Sequence, residues 1–249
     1  MEVTNIHRFF INSENISDNI VTLTGDNAAH GLVLRLRVGE EIVACYGDEC
    51  LDYFCRVVSV SKNEIRAEIL RREYNFANPA ISITLYQALP KGDKMSEIVE
   101  KCVEIGVSMV VPMVTARCVA RPTDRENSKR ARWQKIAESA AAQSGRGAIP
   151  NVSGVLPFAD ALTQAKMHDT AVACLETEDK LGLKGFLSSL PQPVGSIGVF
   201  VGPEGGFTDE EAAMLKEHGI ATVTLGRRIL RTETAGAVAV ANILYEMDV

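Results

Sequence analysis

Two short runs near the C-terminus carry the residue types best suited to chemistry on a small ligand. They are Gly202-Pro203-Glu204-Gly205-Gly206 and Leu225-Gly226-Arg227-Arg228-Ile229-Leu230-Arg231. Glycines let a backbone come close to a ligand and present its N–H and C=O groups. Arginines add permanent positive charge and a planar fork of donors, which suits the stabilisation of a developing anion. Carboxylates are also dense here, but Thr208-Asp209-Glu210-Glu211 has the spacing of a capping box, with Thr208 as N-cap and Glu211 as its partner. Asp209 and Glu210 then fall in the first helical turn, where each complements the helix dipole by about 0.3–1 kcal/mol. Helix initiation thus accounts for these carboxylates, and only Glu204 is left within the loop.

Both runs follow strands. Ser196–Val201 is an apolar strand ending at the first, and Ala221–Leu225 is a strand running into the second, which leads to a helix over Glu233–Met247. In open α/β sheets ligands bind where loops leave the carboxyl ends of strands, so the two loops can form two sides of one pocket. Upstream the pattern alternates in the same way. Ile81–Ala88 reads as a strand, and Asp93 caps a helix with Met95, Ile98, Val99, Cys102 and Val103 on one face. Gly106 ends that helix and Ser108–Val111 is the next strand, which completes a β-α-β unit of a parallel sheet. Helices over Asn127–Gln143 and Asp160–Met167 and a strand over Thr170–Leu175 continue the theme. No phosphate-loop or dinucleotide fingerprint follows any of these strands.

The N-terminal part differs. Phe9–Ile11, Glu41–Tyr46, Tyr53–Val60 and Glu64–Leu70 read as strands, with a hairpin turn at Tyr46-Gly47-Asp48-Glu49 and one short helix over Asn27–Leu36. Short strands at close spacing predict a small barrel. The aperiodic segment Glu73–Pro79 separates the two patterns, giving domains over 1–74 and 75–249.

The 249 residues are 46 % hydrophobic and 23 % charged, an ordinary globular composition. No apolar run is long enough to span a membrane, and the N-terminus lacks a signal-peptide pattern, so a cytoplasmic protein without a membrane partner is expected. The six cysteines form no C-x-x-C pair, and Cys45, Cys50 and Cys55 match no zinc spacing, so no metal is expected. Net charge is −6, yet residues 117–146 hold 8 Lys/Arg against 3 Asp/Glu. A local excess of that kind can bind phosphate or form a solvated helix face.

Taken in order, several motifs resemble one family. Gly202–Gly206 and Leu225-Gly226-x-Arg228-Ile229-Leu230-Arg231-Thr232-Glu233-Thr234-Ala235 are similar to the RsmE family, the 16S rRNA uridine-N3 methyltransferases of the SPOUT class. Leu89–Met95, Arg132–Ala137, Gln143–Arg146, His7–Phe10 and Leu34–Leu36 agree with it, so the resemblance spans essentially the whole chain. It departs at Ala142, where the family usually has an acidic residue, and in the spacing from His30 to Arg35.

The resemblance implies an α/β protein with a small N-terminal PUA-like β-barrel and a C-terminal SPOUT domain containing a trefoil knot. It implies a homodimer that uses S-adenosyl-L-methionine and acts on 16S rRNA of the small ribosomal subunit, at N3 of the U1498 position. Cofactor contacts are expected from Leu175, Gly202, Pro203, Gly205, Gly206, Leu225, Gly226, Ile229, Leu230 and Thr234. Arg231, or else Arg228, is expected to stabilise the charge left when uridine N3 loses its proton. RNA contacts are expected from Arg8, Arg35, Arg37, Lys91, Arg117, Arg121 and Arg146. Two alternatives stay open: a SPOUT methyltransferase with another RNA target, and an RNA-binding module without catalysis.

Overall fold

In a computed structural model, residues 6–47, 51–121 and 126–247 are described. The chain divides into two compact units: Met1–Asn78 with Ala141–Ile149, and Pro79–Ala140 with Pro150–Val249.

The first unit is built on a six-stranded, barrel-like sheet. Its strands are β1 (His7–Phe10), β2 (Ile16–Ser17), β3 (Ile20–Thr24), β4 (Glu41–Cys45), β5 (Leu51–Val60) and β6 (Glu64–Tyr74), in the order β1-β4-β5-β6-β3-β2. Helix α1 (Gly25–Val33) lies between β3 and β4 in sequence. β6 shows why the sequence reads as a strand: Ile65, Ala67 and Ile69 are buried while Glu64, Arg66 and Glu68 are exposed, the period of two expected of a half-buried strand. These residues join Phe9, Val21, Leu23, Ile42 and Cys55 in one core. β2 and β3 were not expected, because Ile16–Thr24 is interrupted by Asp18 and Asn19, both at positive φ. Asp48, Glu49 and Cys50 lie outside the described residues, and with them most of the hairpin turn.

The segment 141–149 joins the first unit through polar contacts. Asn75 Nδ2 donates to Gly145 O at 2.8 Å and to Asp52 Oδ2 at 2.9 Å, and Ile149 N donates to Gly47 O at 2.7 Å. Nothing in the local pattern of 141–149 signals this pairing with residues some seventy positions away.

The second unit is an α/β layer structure. Its strands are β7 (Ser82–Ala88), β8 (Met109–Val114), β9 (Asn151–Val152), β10 (Leu156–Pro157), β11 (Thr170–Cys174), β12 (Ser196–Val201) and β13 (Ala221–Val223). Every pairing among them is parallel, in the order β10-β8-β7-β12-β11-β13 with β9 beside β8. Because all strands point one way, the loops after β12, β11 and β13 leave on one side and in neighbouring places. The helices are α2 (Lys94–Ile105), α3 (Glu126–Gln143), which runs on into the segment 141–149, α4 (Phe158–Ala165), α5 (Leu183–Ser188), α6 (Asp209–Glu217) and α7 (Thr232–Met247). α2 buries Met95, Ile98, Val99, Cys102 and Val103 on its expected face and packs on α7.

Two local details differ from expectation. Asp93 is the N-cap of α2, but its carboxylate does not cap; it pairs with Arg132 and accepts from Ser96 Oγ. The short helix α5 and strands β9 and β10 were not expected, since pieces of two to six residues carry too little periodicity to read. At Gly106, φ is +131° and a Cβ would lie 2.7 Å from Pro79 Cγ, so the expected glycine is required there twice over. No helix of the described residues is long and apolar enough to cross a membrane.

Candidate active site

The loops after β11, β12 and β13 enclose a cavity of about 470 Å³ within the second unit. Each loop is held in a different way. After β12, the loop turns at Gly206, whose N–H donates to Pro203 O at 2.9 Å with φ of +65°. Thr208 then caps α6 as its spacing requires: Glu211 N donates to Thr208 Oγ1 at 3.2 Å, and Thr208 N donates to Glu211 Oε2 at 2.9 Å. The other Glu211 oxygen accepts from Ala116 N at 2.7 Å, so this carboxylate also anchors the segment after β8.

Glu204, which the capping box leaves unexplained, is a tie between loops. Its Oε1 accepts from Lys91 N at 3.0 Å and from Lys94 Nζ at 3.3 Å, while Lys94 Nζ also donates to Glu233 Oε2 at 3.2 Å. Burial pushes the Glu204 carboxyl up, but its own and the Lys91 backbone N–H groups, together with Lys94, hold it below the usual range. Glu233 is likewise held low, first by its own backbone N–H and then by Lys94.

Beneath these ties lies a buried polar chain. Gln87 Nε2 donates to Thr232 Oγ1 at 2.9 Å, and Thr232 Oγ1 donates to Gly202 O at 2.7 Å. The end of β7, the start of α7 and the first glycine of the loop are thereby fixed to one another. Gln87 Oε1 is a buried oxygen with no partner among the described residues.

The loop after β13 is more open. Thr224 is clasped by backbone on both sides, donating to Leu181 O at 2.9 Å and accepting from Leu183 N at 3.2 Å. Beyond it Gly226 has φ of +117° and open space where a Cβ would stand, a conformation that a larger residue adopts only with strain. Arg227, Arg228, Ile229 and Arg231 are exposed. The Arg231 side chain is 83 % exposed, and its ion pair with Glu233 Oε1, at 3.9 Å, is long.

Of the residues expected to hold a cofactor, Leu175, Gly202, Pro203, Gly206, Leu225, Gly226, Ile229 and Leu230 line the cavity, as do Arg228 and Arg231. Gly205 and Thr234 do not. Gly205 packs on the Arg117 side chain, and Thr234 N donates to Arg231 O in the first turn of α7. Sequence reasoning missed Lys94, Glu176, Thr177 and Thr224, which also line it. Lys94 stands at the head of α2 and Glu176 and Thr177 follow β11, stretches that are not rich in glycine or arginine, while Thr224 lies between β13 and the second glycine run.

The expected RNA-binding residues separate by burial. Arg35 and Arg37 are exposed in the first unit, and Lys91, Arg117 and Arg121 in the second. Arg117 Nη1 also braces the loop after β12, donating to Gly205 O at 2.7 Å and Phe207 O at 3.0 Å. Arg8 and Arg146 face inward instead. Arg8 Nη2 donates to Asp52 Oδ2 at 2.7 Å, with both side chains under a tenth exposed. Burial lowers the Arg8 pKa, but bonds to Asp52 and Cys45 hold it above its ordinary value. Arg146 is 4 % exposed, donates to Asn78 Oδ1, and has its pKa pushed down to about 10 by burial. Both guanidinium groups are therefore engaged inside the first unit, Arg8 by a carboxylate and Arg146 by an amide oxygen, as buried polar groups require. Among the described residues no three His, Cys, Asp or Glu side chains are grouped as around a metal ion.

Comparison with known proteins decides the family. A family model described as an RNA methyltransferase domain matches residues 77–244. The ribosomal RNA small subunit methyltransferase E of Bacillus subtilis is 36 % identical over 235 residues, covering 91 % of this chain and 90 % of that protein. The chain belongs to the ribosomal RNA small subunit methyltransferase E family. Solved structures agree with the fold in both units. The family member from Neisseria gonorrhoeae, bound to S-adenosylmethionine, superposes with a TM-score of 0.86 at 34 % identity, covering 97 % of this chain and 98 % of that one. A Legionella pneumophila methyltransferase in complex with the same cofactor gives 0.86 at 26 % identity, with the same coverage.

Proposed function

We propose that this protein transfers a methyl group from S-adenosylmethionine to N3 of one uridine in 16S rRNA of the small ribosomal subunit, the U1498 position. The observation that carries the reading is the cavity framed by three loops after neighbouring parallel strands, with Arg228 and Arg231 on its lining. The donor set suits this cofactor. Backbone approaches closely at Gly202, where a Cβ would lie 3.2 Å from Gly206 backbone, and at Gly226 the chain leaves open space. Backbone N–H and C=O groups of such loops can read an adenine edge, and the volume falls within the range of small-molecule sites.

When bound, S-adenosylmethionine supplies a methyl group on a positively charged sulfur. The chain's contribution is placement and electrostatics. The glycine loops orient one reactant, and in-line placement of the other is worth several kcal/mol. Loss of the N3 proton leaves negative charge shared with the neighbouring carbonyl oxygens of uridine. Arg231 stabilises it with a guanidinium that is not tied up by strong internal pairs, and Arg228 is the second candidate. The uridine must be unpaired or flipped to reach the site.

In this reading the first unit is a PUA-like RNA-binding domain and Arg35, Arg37, Lys91, Arg117 and Arg121 contact phosphates. The protein works as a cytoplasmic homodimer, and its second unit carries a trefoil knot. Incubation with methyl-labelled cofactor and small-subunit RNA or particles lacking the modification tests the proposal. Nucleoside analysis should yield 3-methyluridine at one position. Methylation of another base would favour a different RNA target, and cofactor binding without transfer would favour an inactive RNA-binding module.

A further inference from the structure

The carboxylates around the cavity are not equivalent. Glu204 and Glu233 share Lys94, and Glu211 is held by Thr208 and Ala116. Glu178, two residues beyond Glu176 in the loop after β11, accepts from Thr222 Oγ1 at 2.9 Å and from Lys180 N at 3.0 Å. Glu176 lines the cavity yet forms no hydrogen bond or ion pair with any described residue. Asp209 is the other cavity carboxylate in that condition, but it stands in the first turn of α6, where the helix dipole accounts for it. Glu176 has no such explanation.

Its placement is nevertheless defined. A Cβ built on Gly206 would lie 2.9 Å from Glu176 Oε1, so the absence of a side chain at Gly206 makes room for this carboxylate. β11 lies between β12 and β13 in the sheet, so Glu176 stands midway along the row of strand ends, between the two glycine loops. In S-adenosylmethionine the ribose joins the adenine to the sulfur that carries the amino-acid group, so its hydroxyls lie between the two ends. A carboxylate offers two acceptor oxygens and no donor, which matches two adjacent hydroxyl donors. The acidic residue of dinucleotide-binding folds recognises ribose in the same way.

We propose that Glu176 is a specificity-determining residue that accepts hydrogen bonds from the vicinal ribose hydroxyls of the cofactor. The proposal rests on the cofactor reading above and concerns binding, not the chemical step. In the free protein the carboxylate is hydrated; in the complex it exchanges that water for two O–H donors. Hydrogen bonds to a charged group are among the stronger ones, so removing the charge weakens binding by roughly tenfold to a hundredfold.

Titration calorimetry with three probes tests this. The probes are S-adenosylhomocysteine, 5′-methylthioadenosine, which lacks the amino-acid end, and the 2′-deoxy analogue of 5′-methylthioadenosine. Glu176→Gln and Glu176→Ala should weaken the first two by the same factor. Wild-type preference for methylthioadenosine over its deoxy analogue should shrink towards one in both variants, which isolates the coupling between carboxylate and hydroxyl. Glu176→Asp, which keeps the charge, should lose less. Equal affinities in wild type and Glu176→Gln would overturn the proposal. So would a loss for S-adenosylhomocysteine with methylthioadenosine unchanged, which would assign the carboxylate to the ligand's ammonium group. Wild-type protein binding none of the probes would remove the cofactor reading itself, and this inference with it. Matching melting temperatures of the variants exclude misfolding as the cause.

Discussion

Arg8 and Arg231 are the same residue type in motifs of the same resemblance, and the structure gives them opposite surroundings. Arg8 sits in the first unit with its side chain 9 % exposed and its fork on Asp52; Arg231 sits on the cavity loop of the second unit, 83 % exposed. A buried arginine holds its partner and is held by it, so its removal is felt as stability. An exposed arginine beside a cavity is free to meet an anion, so its removal is felt as function. Motif position alone does not distinguish the two; burial does.

The largest expected effect breaks the comparison at its buried end. Arg8→Ala leaves Asp52 buried with Asn75 as its remaining donor and should cost about 3–5 kcal/mol of unfolding free energy. Denaturant unfolding of the variant measures it. An unchanged midpoint with weakened RNA binding would move Arg8 into the exposed class. At the other end, Arg231→Ala should lower methyl transfer at saturating RNA by about a hundredfold to a thousandfold while leaving the melting temperature and cofactor affinity near wild type. Arg231→Lys keeps the charge but not the planar fork, so recovery of full activity by lysine would mean that charge alone suffices. Unchanged turnover in Arg231→Ala would remove its catalytic assignment.

Between these extremes lies the polar chain under the cavity. Thr232→Val removes the donor to Gly202 O and the acceptor of Gln87 Nε2. Leaving buried polar groups unmatched costs about 1–3 kcal/mol. Because Gly202 borders the cavity, cofactor affinity should fall together with stability, and Thr232→Ser should restore both. Thr232 would then combine the two roles that Arg8 and Arg231 keep apart. Loss of stability with intact affinity would show that the loop after β12 holds its shape without this tie.

What the sequence revealed follows the same division. The apolar periods of α2 and β6 and the unbroken apolar run of β12 marked elements that the structure contains, since burial dictates the residues that build a buried face. The capping box at Thr208 was legible for a related reason, because its bonds join residues three apart. Both glycine loops were legible as composition, and eight of the ten expected cofactor residues line the cavity. The missed features depend on distant partners. Glu204 meets Lys91 and Lys94, Gln87 meets Thr232, and Asn75 meets Gly145, pairs that are seventy or more residues apart and leave no local pattern. Arg8 and Arg146 resemble phosphate contacts in the sequence because charge is visible there and desolvation is not. Glu176 was passed over for the converse reason: one glutamate in an acidic stretch is distinguished only by what surrounds it.

The smallest expected effect concerns Lys94, which is neither buried like Arg8 nor as exposed as Arg231, with its side chain 35 % accessible. Its bonds to Glu233 and Glu204 raise its own pKa and add to the backbone N–H bonds that hold both carboxyls below their ordinary value of 4.5. A depressed carboxylate contributes stability that is present above 4.5 and lost as pH falls through the lowered folded-state value. A raised lysine contributes stability that is present below 10.5 and lost as pH rises through its raised folded-state value. Lys94→Met should therefore lower the melting temperature slightly at neutral pH, since partly solvated ion pairs contribute little. The difference from wild type should narrow on acidification below pH 4.5 and again on the alkaline side above pH 10.5. Thermal melts of both proteins across that range measure it. A difference that persists unchanged at acid pH would mean that Lys94 acts through the packing of its aliphatic stem, which would place it with Arg8 as a structural cation.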